Sequence, residues 1–478
     1  MRKFALAILM PILLLSFTAT AQDYSDVIRI SRPDDLGSAR FISMGGAFSA
    51  LGNDIGAISM NPAGLAVYRH SEITFSTYYR ATTTNTNYEG FQGSDYDGQL
   101  RFSQLGLVSH KNISNTSHFN FGLRYHRTND YGFKHIAEGS NINSSVVDQW
   151  LILANFYAPN GESLADAGLL YEDMANDVGL IGYNNGQWNQ YAGGAQVTQR
   201  QAYESSGGKG ILGIDFAVQT DDTWNIGGSI EIPTLSYSTE EVYSESNYDA
   251  SSSYDGLTWT NRYSLTGIGF QLKFGAIFTD KEIGRISAYV HTPTWWNLVQ
   301  EGSSTLVGNY ANSGGSTTSE QPFNAFNWQM TTPAKFGVGY AYVFEKNGLL
   351  SVDYAFQSMP FASVRSSEFP GSLDFINEDI ADFVKPWHDI RIGGEMRFDQ
   401  LFIRGGYHIT TSPFTDDNQL ASQYSGGVGF KDNRWGIDLA YSLRTRNNEF
   451  YFYAPELVNA VSRSEYGHFI VTTLYFRI

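Results

Sequence analysis

Apolar and polar residues alternate along much of the C-terminal half of the chain. In 389–398 and 434–444, nearly every second residue is aliphatic or aromatic, and charged residues fill many positions between them. Successive side chains of a strand point to opposite faces, so this period predicts strands with one apolar and one polar face. The segment 468–478 keeps an apolar face to the last residue, Ile478. One face of such a strand suits lipid and the other suits a wet lumen.

The same alternation, punctuated by turn residues, predicts fourteen strands. They lie near 71–81, 98–110, 117–128, 207–220, 223–242, 256–280, 283–296, 326–345, 348–360, 386–399, 400–413, 419–431, 433–450 and 465–478.

The predicted connections alternate between short and long. Tight turns include Asp221-Asp222, Asp399-Gln400 and Asp432-Asn433. The long connections are 129–206, 297–325 and 361–385. Outer-membrane barrels have short periplasmic turns and longer extracellular loops. The pattern therefore predicts an all-β fold, a 14-stranded antiparallel transmembrane β-barrel whose first strand rises from the periplasm.

The N-terminus has the features of a secretory signal. Arg2 and Lys3 precede an apolar run over 4–17, and Ala19-Thr20-Ala21 forms a small-residue cleavage site. We expect residues 1–21 to be removed. No later stretch has the 18 or so apolar residues of a spanning helix, which leaves an exported soluble protein or a membrane barrel. The apolar last strand favours the barrel, because an open apolar edge aggregates, whereas a closed barrel pairs it with the first strand.

Composition excludes several classes of function. The formal charge of −17 argues against nucleic-acid binding, which needs clustered basic charge. The absence of cysteine excludes disulfides and thiolate metal sites, and the nine histidines do not cluster at metal spacing. No hydrolase or phosphate-loop motif occurs. We therefore expect no catalytic residue, no metal site and no cofactor. Charged residues are 17% and aromatic residues 15%, a mix that suits many strands and turns better than helices.

Residues 22–70 precede the first predicted strand and are rich in small side chains. They include Gly45-Gly46 and the run Asn61-Pro62-Ala63, in which proline disfavours helix before it and Asn favours a turn. Such a segment predicts a compact plug in the barrel. The signature resembles the hatch of the FadL/TodX family of outer-membrane transporters, and 332–340, 403–407 and 424–429 resemble late-strand motifs of that family.

The resemblance implies three parts: a signal peptide (1–21), an N-terminal hatch (22–70) and a transmembrane barrel with extracellular loops (71–478). It also implies a transport mechanism. The loops would capture a hydrophobic small molecule, such as a long-chain fatty acid, and its entry would be gated by the hatch. The molecule would then leave laterally into outer-membrane lipid at the third strand, with Gly122 as a candidate kink. The barrel-assembly machinery would be a partner during biogenesis. An alternative within the same barrel family is a protein-binding component of a secretion apparatus.

The long loops contain apolar residues at helical spacing. Ser163–Asp166 matches a capping box, and Leu373, Ile376 and Ile380 share one helical face. The candidate ligand-capture residues are Trp150, Leu151, Phe156, Leu170, Tyr171 and Phe383. Convergent apolar helices at a barrel mouth would form a capture groove, or they would pack on one another as a cap.

Parity along the strands also predicts the charged residues of the lumen. They are Arg101, Arg124, Lys273, Asp353, Arg391, Glu395, Arg397, Arg404, His408, Asp438 and Arg444. An unpaired arginine would bind a ligand carboxylate. The alternative is a lattice of ion pairs that holds the hatch in place.

Overall fold

The structure is a computed structural model that describes residues 24–32, 36–141, 143–191, 197–248, 252–311, 314–344 and 347–478. The expected signal peptide, 1–21, lies outside the described residues. Among the described helices, none is long and apolar enough to cross a membrane.

The strands of the main sheet and the loops are β1 (Glu72–Tyr88), β2 (Phe91–Asn112), β3 (His118–Asp130), β4 (Phe133–Asn141), β5 (Ile181–Asn184), β6 (Gln187–Gln190), β7 (Val197–Thr220), β8 (Trp224–Ser246), β9 (Tyr254–Asp280), β10 (Gly284–His291), β11 (Trp295–Tyr310), β12 (Ser316–Thr331), β13 (Lys335–Phe344), β14 (Gly348–Gln357), β15 (Ser363–Arg365), β16 (Trp387–Phe398), β17 (Leu401–Thr411), β18 (Leu420–Lys431), β19 (Trp435–Phe450) and β20 (Val461–Arg477).

The helices are α1 (Tyr24–Ser31), α2 (Ala39–Ser43), α3 (Ile55–Ile58), a 3-10 helix (Pro62–Val67), α4 (Val146–Tyr157), α5 (Leu170–Asp177), a second 3-10 helix (Met359–Phe361) and α6 (Asp374–Phe383).

The described residues form a closed barrel of 14 antiparallel strands, as predicted. The last strand, β20, pairs with β1 from Glu72↔Arg477 to Asn87↔Ser462, so the sheet has no free edge at its ends. Several strands of the wall are made of two pieces: β4 follows β3 along β7, and β10 and β11 both pair with β9. Pro293 separates β10 from β11, because proline has no N–H for the ladder.

The outer face of the barrel is apolar where the strands alternate. Exposed aromatic residues near the short turns are Trp224, Phe344, Phe398, Phe430, Trp435 and Phe476. Further along the strands, a second set consists of Tyr125, Trp295, Tyr354, Tyr424 and Tyr441. An apolar band flanked by aromatic residues at both interfaces is the lipid-facing surface of a transmembrane barrel.

Two predicted connections are strands. The first hairpin extends to Tyr88 and turns at Glu89-Gly90, which have φ of 49° and 82°. The predicted loop 297–325 is mostly β11 and β12, which pair along nearly their full length. These predictions were wrong because both segments are rich in Thr, Ser and Asn. Such strands lie outside lipid, so their outer faces need no apolar alternation, although threonine suits a strand.

The long loop between β3 and β7 contains helices, but the predicted capping box is misplaced. The capping box lies at Ser145, whose side chain accepts from the backbone of α4 while Asp148 accepts from the Ser145 N–H. Ser163 accepts a hydrogen bond from the Asp166 N–H at 3.2 Å within a turn. Both segments fit the Ser-x-x-Asp pattern. Only the first is followed directly by the apolar run of a helix.

Candidate functional site

The described part of the N-terminal segment, 24–32 and 36–70, packs inside the barrel. Helix α2 contacts β17 to β20, and the first 3-10 helix contacts β3 and β7 to β9. Phe41, Met44 and Phe48 are buried against inward residues of the wall. The segment therefore fills part of the lumen and contacts strands from both halves of the sequence.

The Asn61-Pro62-Ala63 motif forms the entry to the first 3-10 helix. The Asn61 side chain accepts from the Ala63 N–H at 3.0 Å and donates to the Ser49 carbonyl at 2.8 Å. Proline fits the next position because the first N–H of a helix has no partner within the helix. The motif thus ties two turns of the segment together.

Gly45 and Gly46 form a left-handed turn, with φ of 63° and 74°. The Gly45 N–H donates to Ser425 Oγ at 3.0 Å, and a Cβ on Gly46 would lie 2.8 Å from the Arg391 guanidinium. Only glycine adopts this backbone without strain, and only glycine leaves room for the arginine.

Glycines of the wall accept the backbone of the N-terminal segment. A Cβ on Gly227 would lie 2.7 Å from the Ala63 nitrogen, and one on Gly275 would lie 2.8 Å from Asn61 Cγ. A Cβ on Gly406 would lie 2.7 Å from Met44 Cα. These positions carry glycine because backbone approaches backbone there. The sequence analysis missed them, although paired glycines within strands were a visible signal.

Ion pairs and charged hydrogen bonds hold the same segment. Glu395 accepts from Arg40 Nε at 3.0 Å and from Arg404 Nε at 2.6 Å. Asp353 accepts from the Ser49 N–H at 2.9 Å. Wall side chains also donate to backbone carbonyls of the segment: Ser103 to Gly37, Arg285 to Leu51, Lys273 to Ser59, His291 to Met60, Asn120 to Leu65 and His118 to Ala66.

Most of the predicted lumen charges point inward. Arg124, Lys273, Asp353, Arg391, Glu395, Arg404, His408 and Asp438 are buried. Arg101 and Arg444 are half-buried, whereas Arg397 is exposed near the short turn and donates to the Asp399 carbonyl at 2.9 Å. The contacts fit the ion-pair lattice that was one of the two interpretations.

A cavity lies in the lumen beside the N-terminal segment. Its volume is about 80 Å³. Three lysines line it, Lys209, Lys273 and Lys335, and the described lining has no carboxylate. Lys273 also pairs with Glu231, at 2.8 Å. Apolar patches from Ile30, Ile211, Pro233 and Trp296 complete the lining.

Three buried polar atoms in the cavity lining have no hydrogen-bond partner among the described residues. They are His126 Nε2, Trp296 Nε1 and Gln357 Oε1. An unmade hydrogen bond of a buried group costs about 1–3 kcal/mol. The cavity therefore offers donors and acceptors to a polar group that enters it.

The wall is interrupted beside this cavity. The β2–β3 ladder ends at Gln104↔His126, although β2 continues along β1 as far as Phe91. On its other side β3 pairs with β7, and the register of that pairing shifts between Arg127 and Asn129. His126 and Thr128 line the cavity. The cavity thus reaches the wall at the point where the two strands part.

Gly122 lies in a regular part of the same strand. It is paired with Val108 on β2 and with Asp215 on β7. The irregularity of this strand lies at Arg127–Asn129 instead. Gly122 gives a permissive backbone, but the β2–β3 ladder continues past it to Gln104↔His126.

The six candidate capture residues do not form one surface. Trp150 is buried, and Tyr171 is half-buried; both contact Trp259, with ring centroids 5.6 and 4.7 Å away. Phe156 is 49% exposed, and Phe383 stacks on Tyr24 at 6.0 Å in a different cluster. Leu151 and Leu170 are half-buried.

Helix α4 is part of a packed cap at the end of the barrel that carries the long loops. Its residues Val146 and Val147 are buried with Trp150. The buried Glu245 accepts from the Val146 N–H at 2.8 Å, and the Ser145 hydroxyl also donates to it. A carboxylate is favoured at a helix N-terminus, so this contact fixes α4 on the barrel rim.

We predict that docking of α5 weakens as pH rises. Burial raises the pKa of Glu172 from an ordinary 4.5 to about 7. The neutral form fits the cap, so its stabilising contribution is complete below about pH 4.5 and is lost as pH rises through 7. Hydrogen exchange of 170–177, corrected for intrinsic rates, should be faster at about pH 8 than at about pH 5. Glu172→Gln should remove this difference; an unchanged difference would refute the assignment.

Known proteins match the chain by structure. No protein-family model matches the sequence, and no curated protein matches it. A Pseudomonas aeruginosa FadL homologue aligns at 11% identity with a TM-score of 0.54, over 92% of this chain and 98% of that one. The P. putida toluene transporter TodX aligns at 12% identity and a TM-score of 0.55, over 93% and 99%.

The Ralstonia pickettii toluene transporter TbuX aligns at 14% identity with a TM-score of 0.51, over 93% of this chain and 99% of that one. Likeness at such identities shows a shared fold over nearly the whole chain. The apolar outer belt of the closed barrel supplies the location, because lipid is the solvent that such a surface requires. The chain is therefore a β-barrel protein of the bacterial outer membrane with the fold of the FadL and TodX transporters.

Proposed function

We propose that the protein transports a hydrophobic molecule with an anionic headgroup, such as a long-chain fatty acid, through its lumen and out sideways into the membrane. The observation that supports it is the position of the lysine-lined cavity. It lies inside a membrane barrel and extends to the place in the wall where β2 and β3 part. FadL and TodX transporters with the same fold support a transport role.

The lining of the cavity favours a ligand with a headgroup over a plain hydrocarbon. Lys209, Lys273 and Lys335 supply positive charge, while Trp296 supplies an unused N–H. A hydrocarbon in this cavity would leave the Trp296 N–H unpaired. A carboxylate would accept from this N–H and from a lysine ammonium, and hydrogen bonds of the second kind, which are charge-assisted, are about twice as strong as neutral ones.

The contacts that hold the N-terminal segment, the proposed hatch, support lateral exit over a vertical path. A vertical path would require the segment to leave its wall contacts, among them Arg40–Glu395 and Ser49–Asp353. Each buried charged group would then lose its partner, at a cost of several kcal/mol. Exit between β2 and β3 leaves those contacts in place. It also moves an apolar chain into lipid, which is favourable by roughly 25 cal/mol per Å².

We predict that the purified protein binds hexadecanoate about tenfold more tightly than hexadecanol, since a charge-assisted bond contributes at least about 1.5 kcal/mol. Tryptophan fluorescence can report binding, because Trp296 lines the cavity. Lys335→Met should remove most of this preference. Lys281→Met, in the exposed turn after β9, is the matched control and should keep it.

Equal affinity for the acid and the alcohol would refute the headgroup assignment and leave a hydrocarbon as the better ligand. Absence of binding by both would refute the proposed substrate class. In that case the extracellular loops would remain as the binding surface, as expected for the secretion component.

A further inference from the structure

A buried ion cluster joins the two sides of the wall just above the end of the β2–β3 ladder. It consists of Arg80 on β1, Asp97 and Arg101 on β2, and Asp130 at the end of β3. Arg80 Nε lies 3.6 Å from Asp130 Oδ1, and Arg101 Nε lies 3.3 Å from Asp130 Oδ2. Arg80 also pairs with Asp97. Asp130 therefore connects the β1–β2 hairpin to β3 where no described backbone ladder does.

The side chains of the cluster are shielded from water. Those of Arg80 and Asp130 are 3% and 2% exposed, whereas that of Arg101 is 22% exposed. Tyr78 on β1 also donates its hydroxyl hydrogen to Asp130. On the lipid side, the ring of Phe102 stacks on that of Tyr125 at 5.7 Å. The wall is thus closed by side chains at this point.

The bend after β3 is shaped around the same arginine. Arg80 donates to the Gly132 carbonyl, and the Gly132 N–H donates to Asp130 Oδ1 at 3.0 Å. A Cβ on Gly132 would lie 2.9 Å from Arg80 Cζ. The bend from β3 into β4 therefore forms together with the ion cluster. Opening the wall here requires the cluster to separate.

We propose that Arg80, Asp97, Arg101 and Asp130 form an ionic latch that keeps the gap between β2 and β3 shut and separates when a ligand leaves the cavity. The latch rests on the proposed lateral route. His126 and Thr128, which line the cavity, precede Asp130 on the same strand, so a ligand at the wall meets the latch next. No backbone ladder is described between β2 and β3 in this stretch, so the paired side-chain charges hold the two strands together here.

The first test locks the latch by a reducible crosslink. The chain has no cysteine, so Arg101→Cys with Asp130→Cys introduces a single pair of thiols that a short thiol-specific reagent can join. We expect uptake of a fluorescent fatty acid into lipid to fall at least about tenfold, equivalent to about 1.4 kcal/mol, and to recover on reduction. Fatty-acid binding in detergent should stay unchanged, which separates a blocked exit from a damaged site.

The matched control joins Gln423→Cys with Arg444→Cys. These two residues are directly paired across the continuous β18–β19 ladder, and their side chains are 3.2 Å apart. Crosslinking this pair should leave uptake unchanged. Equal uptake by the crosslinked and reduced latch variants would refute the latch.

The second test opens the latch without relying on transport. Asp130→Asn leaves Arg101 without its counter-charge, so spin labels at Tyr96 and Glu138 should show a longer or broader distance distribution than in the parent protein. Glu240→Gln, which breaks the 2.7 Å exposed pair with Arg262 on the regular β8–β9 ladder, should leave it unchanged.

The two tests distinguish the latch from the proposed function. A distance change in Asp130→Asn without fatty-acid uptake by the parent protein would support the latch and refute transport of this substrate. Uptake by the parent with no distance change in Asp130→Asn and no effect of the crosslink would support transport and refute the latch.

Discussion

A chain that ends at residue 460 should fail to form a barrel. Strand β20 pairs with β1 on one side and with β19 on the other. Its loss would place the backbone groups of both neighbours in lipid, where each unsatisfied group costs several kcal/mol. The truncated chain would also lose Thr473, which accepts from the Ala39 N–H at 2.7 Å. We expect no heat-modifiable band in detergent electrophoresis and no protein in the outer membrane.

Deletion of 181–190 is the matched control for this truncation. It removes the β5–β6 hairpin, which forms a sheet of its own. Because the barrel ladders remain complete, this variant should insert and keep its heat-modifiable migration. Insertion of the chain ending at 460 would contradict the closed barrel.

Alternation predicted the lipid-facing part of the fold because lipid imposes it. Ile390 and Ile392 face outward and Arg391 inward, as their parity requires. The same rule failed above the membrane, where water lies outside. There the outer faces of β11 and β12 carry Ser and Thr, and a polar strand resembles a loop in a hydropathy pattern. The predicted number of strands was correct because each of these extensions continues a strand whose lipid-facing part the alternation had already predicted.

The sequence predicted that several charged side chains face the lumen, but not which partners they contact there. Parity placed Glu395 and Arg404 in the lumen, and their side chains are 2.6 Å apart there. The partner Arg40 comes from the N-terminal segment, 355 positions away in sequence, and no local pattern encodes such a contact. The same limit applies to the break in the wall. The β2–β3 ladder ends at Gln104↔His126 although both strands continue beyond it, and no single residue such as Gly122 predicts where it ends.

The surroundings of the strand glycines show where the N-terminal segment packs on the wall, which the alternation of apolar and polar residues does not show. Gly405 and Gly406 follow one another on β17, yet their surroundings are opposite. A Cβ on Gly405 would meet only the Ser425 carbonyl oxygen, at 4.0 Å. A Cβ on Gly406 would overlap the backbone at Met44 and Gly45. The inward glycine is therefore part of the surface on which the N-terminal segment sits, and the outward one is not.

Gly406→Ala should loosen the N-terminal segment while the barrel stays intact. The new methyl group would displace the turn at Gly45 from the wall, and the hydrogen bond from the Gly45 N–H to Ser425 would be lost. Overpacking of this kind costs about 1–3 kcal/mol, and a backbone neighbour cannot move aside as a side chain can. We expect amide exchange over 38–52 to rise about tenfold or more, since about 1.4 kcal/mol corresponds to a factor of ten. Entry of small polar solutes into liposomes containing the protein should rise as well.

Gly405→Ala is the matched control, because it adds the same methyl group one residue away on the outer face. It should change neither exchange nor solute entry, and both variants should remain heat-modifiable, since neither glycine substitution removes a ladder hydrogen bond. If Gly406→Ala leaves exchange over 38–52 at the level of Gly405→Ala, the wall glycines do not hold the segment. The ion pairs of Glu395 and Asp353 would then be sufficient to seat it. If exchange rises without solute entry, the segment is loosened but still fills the lumen, and lateral exit remains the path that needs the least rearrangement.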